Sequence, residues 1–342
     1  MLRPKTTVPT DREGQLIHRI ARIIPSARLD GVRPYLRIGI GDDGTVLNAS
    51  TNRDWVLSCD SSLEGVHFHP HIQPPESVGY KSLARATSDL AAMGARPAYF
   101  LLALALPSQK TNVWLDRFAR GMARGARKFG MRLIGGDISR ADSVMISVTV
   151  LGTVAFGRAV LRSGARRGDL IYVSGKLGVA QLGLELIKRG LAGVPEWDEL
   201  LRPHFYPKIR LKLGQWLAER QVASAMMDLS DGLSMDLPRL CQASGVGAKI
   251  LKDKIPQAVI PGALSKQRLD PLALALHGGE DYELLFTVPP KFANRLRNAP
   301  QGTSLKCIGE ITKNQKILLI AGEGTASRLP VLGWDHFRNR SS

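Results

Sequence analysis

Apolar residues in this chain fall in short blocks, each closed by glycine, proline or a carboxylate. Leu16, Ile17, Ile20, Ile23 and Ile24 share one face of a helix over 14–24. The run 36–40 reads as a strand ending at Gly41-Asp42-Asp43-Gly44, and 55–58 as a second strand ending at Ser58-Cys59-Asp60. A loop over 61–74 carries Glu64, His67 and His69. The spacing of Tyr80, Leu83, Ala84, Thr87, Leu90 and Ala91 predicts a helix over 77–93, stopped by Gly94. A buried strand over 99–106 follows, then a helix over 112–129, and a strand over 132–134 that runs into Gly135-Gly136-Asp137. The alternation over 144–156 predicts a long strand. On this reading three strands of the first half end in acidic turns.

The stretch 157–168 reads as a connector. A second set of elements follows: a strand over 170–173, a glycine turn, a helix over 179–189, an irregular basic stretch over 202–208 and a helix over 209–220. The strand over 222–227 ends in Asp228-Leu229-Ser230-Asp231-Gly232, which opens a helix over 233–243. A strand over 248–251, a short helix over 272–276 and the turn Gly278-Gly279-Glu280-Asp281 come next. A strand over 282–288, a helix over 291–297 and strands over 305–310 and 317–321 complete the unit. The expected architecture is mixed α/β in two domains, 1–156 and 157–342.

Composition changes this picture little. No apolar run approaches the roughly 20 residues of a membrane span. Residues 1–11 lack the apolar core of a secretory signal, and Asp11 and Glu13 argue against a transit peptide. Cys59, Cys241 and Cys307 match no metal or redox spacing, so a reduced cytoplasm is the simplest setting. The net charge of +17 raises nucleic-acid binding. However, Lys and Arg are spread out, with short clusters at 117–128 and 162–167, and aromatics total only 6%. A basic solvated surface that steers anionic metabolites is the better reading.

The carboxylates change it most. Asp42, Asp43, Asp60, Asp137, Asp228 and Asp231 follow apolar runs or sit in glycine turns, and Asp89 interrupts an apolar helix. Singly, each has a structural explanation: Asp89 paired with Arg85, Asp231 capping a helix, Asp137 in a β-turn. Together, in a basic chain, they point to hard cations such as Mg²⁺ and to a phosphate-bearing substrate. A zinc pair at His67 and His69 lacks a nearby third ligand. Val173-Ser174-Gly175-Lys176-Leu177-Gly178 lacks the early glycine and final hydroxyl of a P-loop. Any ATP bound here is held by metals and glycine turns.

Eight motifs, in order, closely resemble the thiamine-monophosphate kinase family of the PurM-like ATP-dependent superfamily. They are Ile40-Gly41-Asp42-Asp43, Ser58-Cys59-Asp60 with Glu64-Gly65-Val66-His67-Phe68, Ser88-Asp89-Leu90-Ala91-Ala92-Met93-Gly94-Ala95, Gly135-Gly136-Asp137, Arg162-Ser163-Gly164-Ala165, Asp228-Leu229-Ser230-Asp231-Gly232, Gly278-Gly279-Glu280-Asp281-Tyr282-Glu283-Leu284 and Gly333-Trp334-Asp335-His336-Phe337. The resemblance implies an N-terminal α/β domain that forms a barrel with its counterpart in a homodimer, and a C-terminal α+β domain. It implies Mg²⁺-assisted transfer of the ATP γ-phosphoryl group to thiamine monophosphate. Asp42, Ser58, Cys59, Asp60, Asp89, Asp137, Asp228 and Asp231 would hold metal, with Asp60, Asp137 and Asp231 central to catalysis. Gly136, Asp137, Arg162 and Ser230 would contact ATP. His67, Glu280 and Trp334 would contact thiamine monophosphate, Trp334 by stacking on its rings.

Two positions depart from the family pattern: Cys59 stands where Thr is usual, and Ile138-Ser139 replaces two hydroxyl residues. A thiol is a poor Mg²⁺ ligand, so the cost depends on whether that position ligates through its side chain or its backbone. The alternatives are another PurM-like enzyme, of the aminoimidazole ribonucleotide synthetase or selenophosphate synthetase type, and a nucleic-acid-binding protein on a degenerate kinase fold. Selenophosphate synthetase is disfavoured because Cys59 is the first cysteine.

Overall fold

The computed structural model describes Gln15, residues 36–38, 41–48 and 52–336. The helix expected over 14–24, apart from Gln15, lies outside them, as do Gly39, Ile40 and Phe337.

Two sheets organise the chain. The first has six strands in the order β1-β2-β3-β6-β4-β5. They are β1 (Leu36–Ile38), β2 (Thr45–Asn48), β3 (Arg53–Leu63), β4 (Arg96–Leu106), β5 (Arg132–Arg140) and β6 (Met145–Ala155). Strands β4 and β5 run parallel and the other neighbours antiparallel. On β6, Ile146, Val148, Val150 and Val154 are buried, the period-2 signature of a sheet covered on one face. The cover is α1 (Pro75–Ala92) and α2 (Val113–Phe129), whose Tyr80, Leu83, Leu90, Phe118 and Met122 join the same core.

The two helices meet unusually closely. A Cβ on Gly79 would lie 2.1 Å from the Phe118 carbonyl oxygen, and one on Gly121 would lie 1.9 Å from that of Glu76. Only glycine permits that approach, which fixes the axial position of α1 against α2. The sheet's other face is bare among the described residues: Tyr99, Leu101 and Met145 are exposed on it.

The second sheet has seven strands in the order β13-β12-β9-β11-β7-β10-β8. They are β7 (Leu170–Ser174), β8 (Ala225–Leu229), β9 (Gly247–Leu251), β10 (Glu283–Val288), β11 (Leu305–Thr312), β12 (Ile317–Ile320) and β13 (Ala326–Arg328). Helices α3 (Val179–Lys188), α4 (Asp198–Phe205), α5 (Leu211–Glu219), α6 (Leu233–Ser244) and α7 (Pro271–His277) accompany it. Helix α1 serves both halves. Its Ala91 and Ala92 share a core with Leu213 and Leu217 of α5, Met226 of β8 and Phe286 of β10.

Several expectations need correction. Strand β3 does not stop at Ser58 but runs through Asp60 to Leu63, and β5 runs through Asp137 to Arg140. Of the three acidic turns expected in the first half, only Asp42-Asp43 lies in a turn. On β3, polar residues occupy inward positions, so the alternation that marks a strand is broken; on β5, Gly135-Gly136 interrupts the apolar run. Strands β2 and β13 were not foreseen, residues 198–205 are helical despite Pro203, and 290–298 forms a 3₁₀ segment, not an α-helix.

Candidate active site

The acidic cleft lies where α1 passes between the two sheets. Gly41, at φ +120°, starts the turn that carries Asp42 and Asp43 inward. The Asp42 carboxylate accepts the backbone N–H of Asp43 at 3.0 Å and that of Arg162 at 3.2 Å. Arg162 Nη2 donates to Asp43 at 2.6 Å, and the second Asp43 oxygen is buried without a partner. One carboxylate oxygen each from Asp43, Asp89 and Asp228 lie within 4.8 Å of one another. Asp89 comes from α1 and accepts a hydrogen bond from the Ser58 hydroxyl of β3, and Asp228 comes from β8.

This gathering of like charge is costly as it stands. Burial first, and the Asp43 charge second, push Asp42 up to about 7. The same two causes push Asp228 up to about 7, while burial and the Asp228 charge hold Asp89 well above the carboxylate range. Arg162 compensates only part of the charge. Oxygen-only donors, an unpartnered buried oxygen and uncompensated negative charge suit a hard divalent cation such as Mg²⁺.

The two adjacent aspartates differ in role. Asp43, not Asp42, joins Asp89 and Asp228, while Asp42 holds the backbone of the Arg162 segment. Asp89 does not pair with Arg85, which instead reaches Asp60 at 3.6 Å. Asp231 does not cap α6 through its side chain: it binds Arg239 at 2.5 Å, and Asp236 accepts the N–H groups of Ser230 and Asp231.

Two expected members lie elsewhere. On β3, Ser58 and Asp60 face α1, so Cys59 faces the bare side, where its sulfur meets the Ser147 and Thr149 hydroxyls at 3.3 Å. The thiol therefore cannot reach the cleft, and only the backbone of residue 59 can. The Asp60 rung continues through Val148 and Leu102 to Gly136. Three strand spacings make that roughly 14 Å. Asp137 is one residue further, paired with the exposed Ala103 on the bare face, where Ser139 donates to it at 3.1 Å. Within one protomer, Asp137 and Asp60 cannot share an ion. Gly136 is obligatory here, because a Cβ would sit 1.8 Å from the Leu102 carbonyl oxygen.

Beside the cleft is a second cluster. Glu280, at φ +68°, places its carboxylate 2.7 Å from Lys81 Nζ of α1 and 3.4 Å from His204 Nδ1. Burial raises the Glu280 pKa, but Lys81, His204 and Arg85 more than offset that, and it falls to about 2. His67 lies in the loop after β3, its ring 5.1 Å from that of His336, which stands 5.5 Å from Trp334. The backbone N–H of Trp334 donates to the Asp231 carbonyl at 3.0 Å, tying the tail segment to the Asp228–Gly232 loop. His69 packs on His71 instead of joining His67.

Sequence reasoning missed Lys81, the Asp60 contact of Arg85, Asp236 and Arg239. It also missed the Glu283 clamp, in which Arg210 and Ser174 bind one buried carboxylate. A signal was present for the first two: cations at i and i+4 on a helix otherwise apolar on that side.

Residues 41–154 match the AIR synthase related protein N-terminal domain, and residues 166–321 match the corresponding C-terminal domain. The fold and the acidic cleft thus define a two-domain protein of the AIR synthase-related class. Within that class, the chain belongs to the thiamine-monophosphate kinase family. The thiamine-monophosphate kinase of Escherichia coli O157:H7 is 39% identical over 331 residues, covering 95% of this chain and 98% of that protein. A solved structure described as AaThiL complexed with AMPPCP and TMP is 31% identical, with TM-score 0.82, covering 98% of this chain and 99% of that one. The crystal structure of thiamine-monophosphate kinase from Stenotrophomonas maltophilia K279a is 36% identical, with TM-score 0.72, covering 91% and 96%.

Proposed function

We propose that this protein transfers the γ-phosphoryl group of ATP to thiamine monophosphate, giving thiamine diphosphate and ADP. The observation that carries the reading is the Asp43–Asp89–Asp228 cluster, with Glu280 held by Lys81 of the same helix α1 that carries Asp89. Full-length similarity to kinases of that name supports it. The acceptor is a phosphate oxygen, already ionised at neutral pH, so no general base is needed. The barrier comes from bringing two anions together, and charge neutralisation with alignment lowers it.

In this reading Asp43, Asp89, Asp228, Asp42, Asp60 and the Ser58 hydroxyl hold Mg²⁺, with Asp231 beside them and residue 59 contributing its carbonyl. Mg²⁺ supplies neutralisation of the phosphates and a template for in-line transfer. Arg162 and the Ser230 loop contact ATP, and Trp334 stacks on the acceptor's rings.

Gly136 and Asp137 join the ATP site by way of a second copy. Their exposed edge strand and the bare apolar face beside it support a homodimer closed through the first sheet into a barrel. The same reading divides the chain at 156/157, within the connector between the sheets, and places the protein in the cytoplasm. Among the described residues no helix is long and apolar enough to cross a membrane.

The test is incubation of purified protein with ATP, Mg²⁺ and thiamine monophosphate. Thiamine diphosphate and ADP should appear in equal amounts. No thiamine diphosphate, with another phosphorylated acceptor turning over in parallel, overturns the assignment.

A further inference from the structure

A small cavity between β3 and α1 is lined by Ser62, His67, Phe68, Lys81, Ser82 and Arg85. Its polar chemistry is one-sided. His67 Nδ1 accepts the Leu63 N–H at 3.0 Å, so in the neutral ring the proton sits on Nε2. That Nε2 is buried and has no partner, and neither has the buried Nε of Arg85. Burial, reinforced by the charges of Arg85 and His336, holds His67 near a pKa of about 3, so the ring stays neutral at working pH. Lys81 is engaged by Glu280, and the Ser82 hydroxyl donates to the Val78 carbonyl at 2.9 Å. The lining thus offers two N–H donors that no protein acceptor meets. Each such orphan costs about 1–3 kcal/mol, an arrangement that a ligand carrying acceptor atoms relieves.

The surroundings narrow the ligand. Arg85 Nη2 is 3.6 Å from Asp60, so the guanidinium stands between the acidic cleft and the cavity. On the far side of His67 are the His336 and Trp334 rings. A ligand with an oxyanion at one end and flat rings at the other matches this order.

We propose that Arg85 binds the phosphate of the acceptor. Its Nε–H and the His67 Nε2–H donate to non-bridging phosphate oxygens and hold that group at the edge of the acidic cleft. The inference rests on the function proposed above and assigns a residue and a contact beyond it. A planar fork fixes a tetrahedral oxyanion in two directions, which a lysine in the same place does not.

The test compares thiamine monophosphate with thiamine, which lacks only the phosphate. Calorimetric titrations in Mg²⁺ use wild-type protein, Arg85→Gln and Arg85→Lys, with thermal midpoints measured alongside. Wild-type protein should bind thiamine monophosphate more tightly than thiamine. Arg85→Gln should lose about 10- to 100-fold on the monophosphate and leave thiamine within about twofold. Arg85→Lys, which keeps the charge that Asp60 needs, should fold and show an intermediate loss on the monophosphate alone. Equal losses on both ligands, or none, overturn the assignment, as does wild-type protein that binds thiamine as tightly as the monophosphate. Wild-type protein that neither binds nor phosphorylates thiamine monophosphate overturns the parent reading instead, so the two failures are distinct.

Discussion

Asp60 and Asp137 belong to one six-stranded sheet, on neighbouring rungs, yet they point to opposite faces and stand three strands apart. If both serve one reaction, they do so from different protomers. Asp60→Asn and Asp137→Asn should each abolish turnover as homodimers. Mixing the two should restore about a quarter of wild-type activity, because half of the randomly paired dimers carry one complete site. No recovery after subunit exchange, with both variants dimeric, would rule out action across the interface.

The position of Cys59 leads to a milder expectation. Its sulfur sits among hydroxyls on the bare face, away from Asp89 and Asp228. Cys59→Ser and Cys59→Thr should keep kcat and the Mg²⁺ dependence within about twofold, since the carbonyl of residue 59 is unchanged. A tenfold change in Mg²⁺ affinity would show that the thiol reaches the metal.

The acidic cleft stores repulsion. Asp228→Asn removes one charge from the buried group, so the metal-free protein should melt higher by about 2–4 °C for each kcal/mol relieved. The same variant should lose the stabilisation that Mg²⁺ gives wild-type protein. Differential scanning fluorimetry with and without Mg²⁺ reads both. A lower metal-free midpoint would mean that Asp228 is held by compensation not seen here.

His204 sets an acid limit. Burial first, and the Lys81 charge second, lower its pKa from 6.5 to about 3. The unfolded chain then binds more protons than the folded one between those values, so stability falls as pH drops below 6.5. At pH 5 one such group costs about 2 kcal/mol. His67 adds to the loss with the same sign. His204→Gln should flatten the decline in urea midpoint between pH 6.5 and 4.5. An unchanged slope would refute the assignment.

The legible parts of the chain were those with uniform local chemistry. Helices α1 and α2 announce themselves because apolar residues recur at helical spacing for many turns and glycine ends each pattern. The Asp42-Asp43, Asp89 and Asp228 positions were legible because carboxylates there contradict their apolar neighbours. Strand β3 was misread for the same reason, since Ser58, Asp60 and Ser62 face inward to the site, and β5 because Gly135-Gly136-Asp137 reads as a turn. Lys81 and Arg85 stayed hidden because their partners are distant in sequence, Glu280 being 199 residues from Lys81.

Helix α1 carries Lys81, Arg85 and Asp89 at successive four-residue intervals, so one rod bears groups of both the acceptor pocket and the acidic cleft. Each interval is about 6 Å of axial rise, and the rod's length sets the separation of the two sites. The Gly79 and Gly121 notch keeps that rod from sliding. The pocket and the cleft are therefore gauged by a common ruler, and neither can be moved along the helix without moving the other.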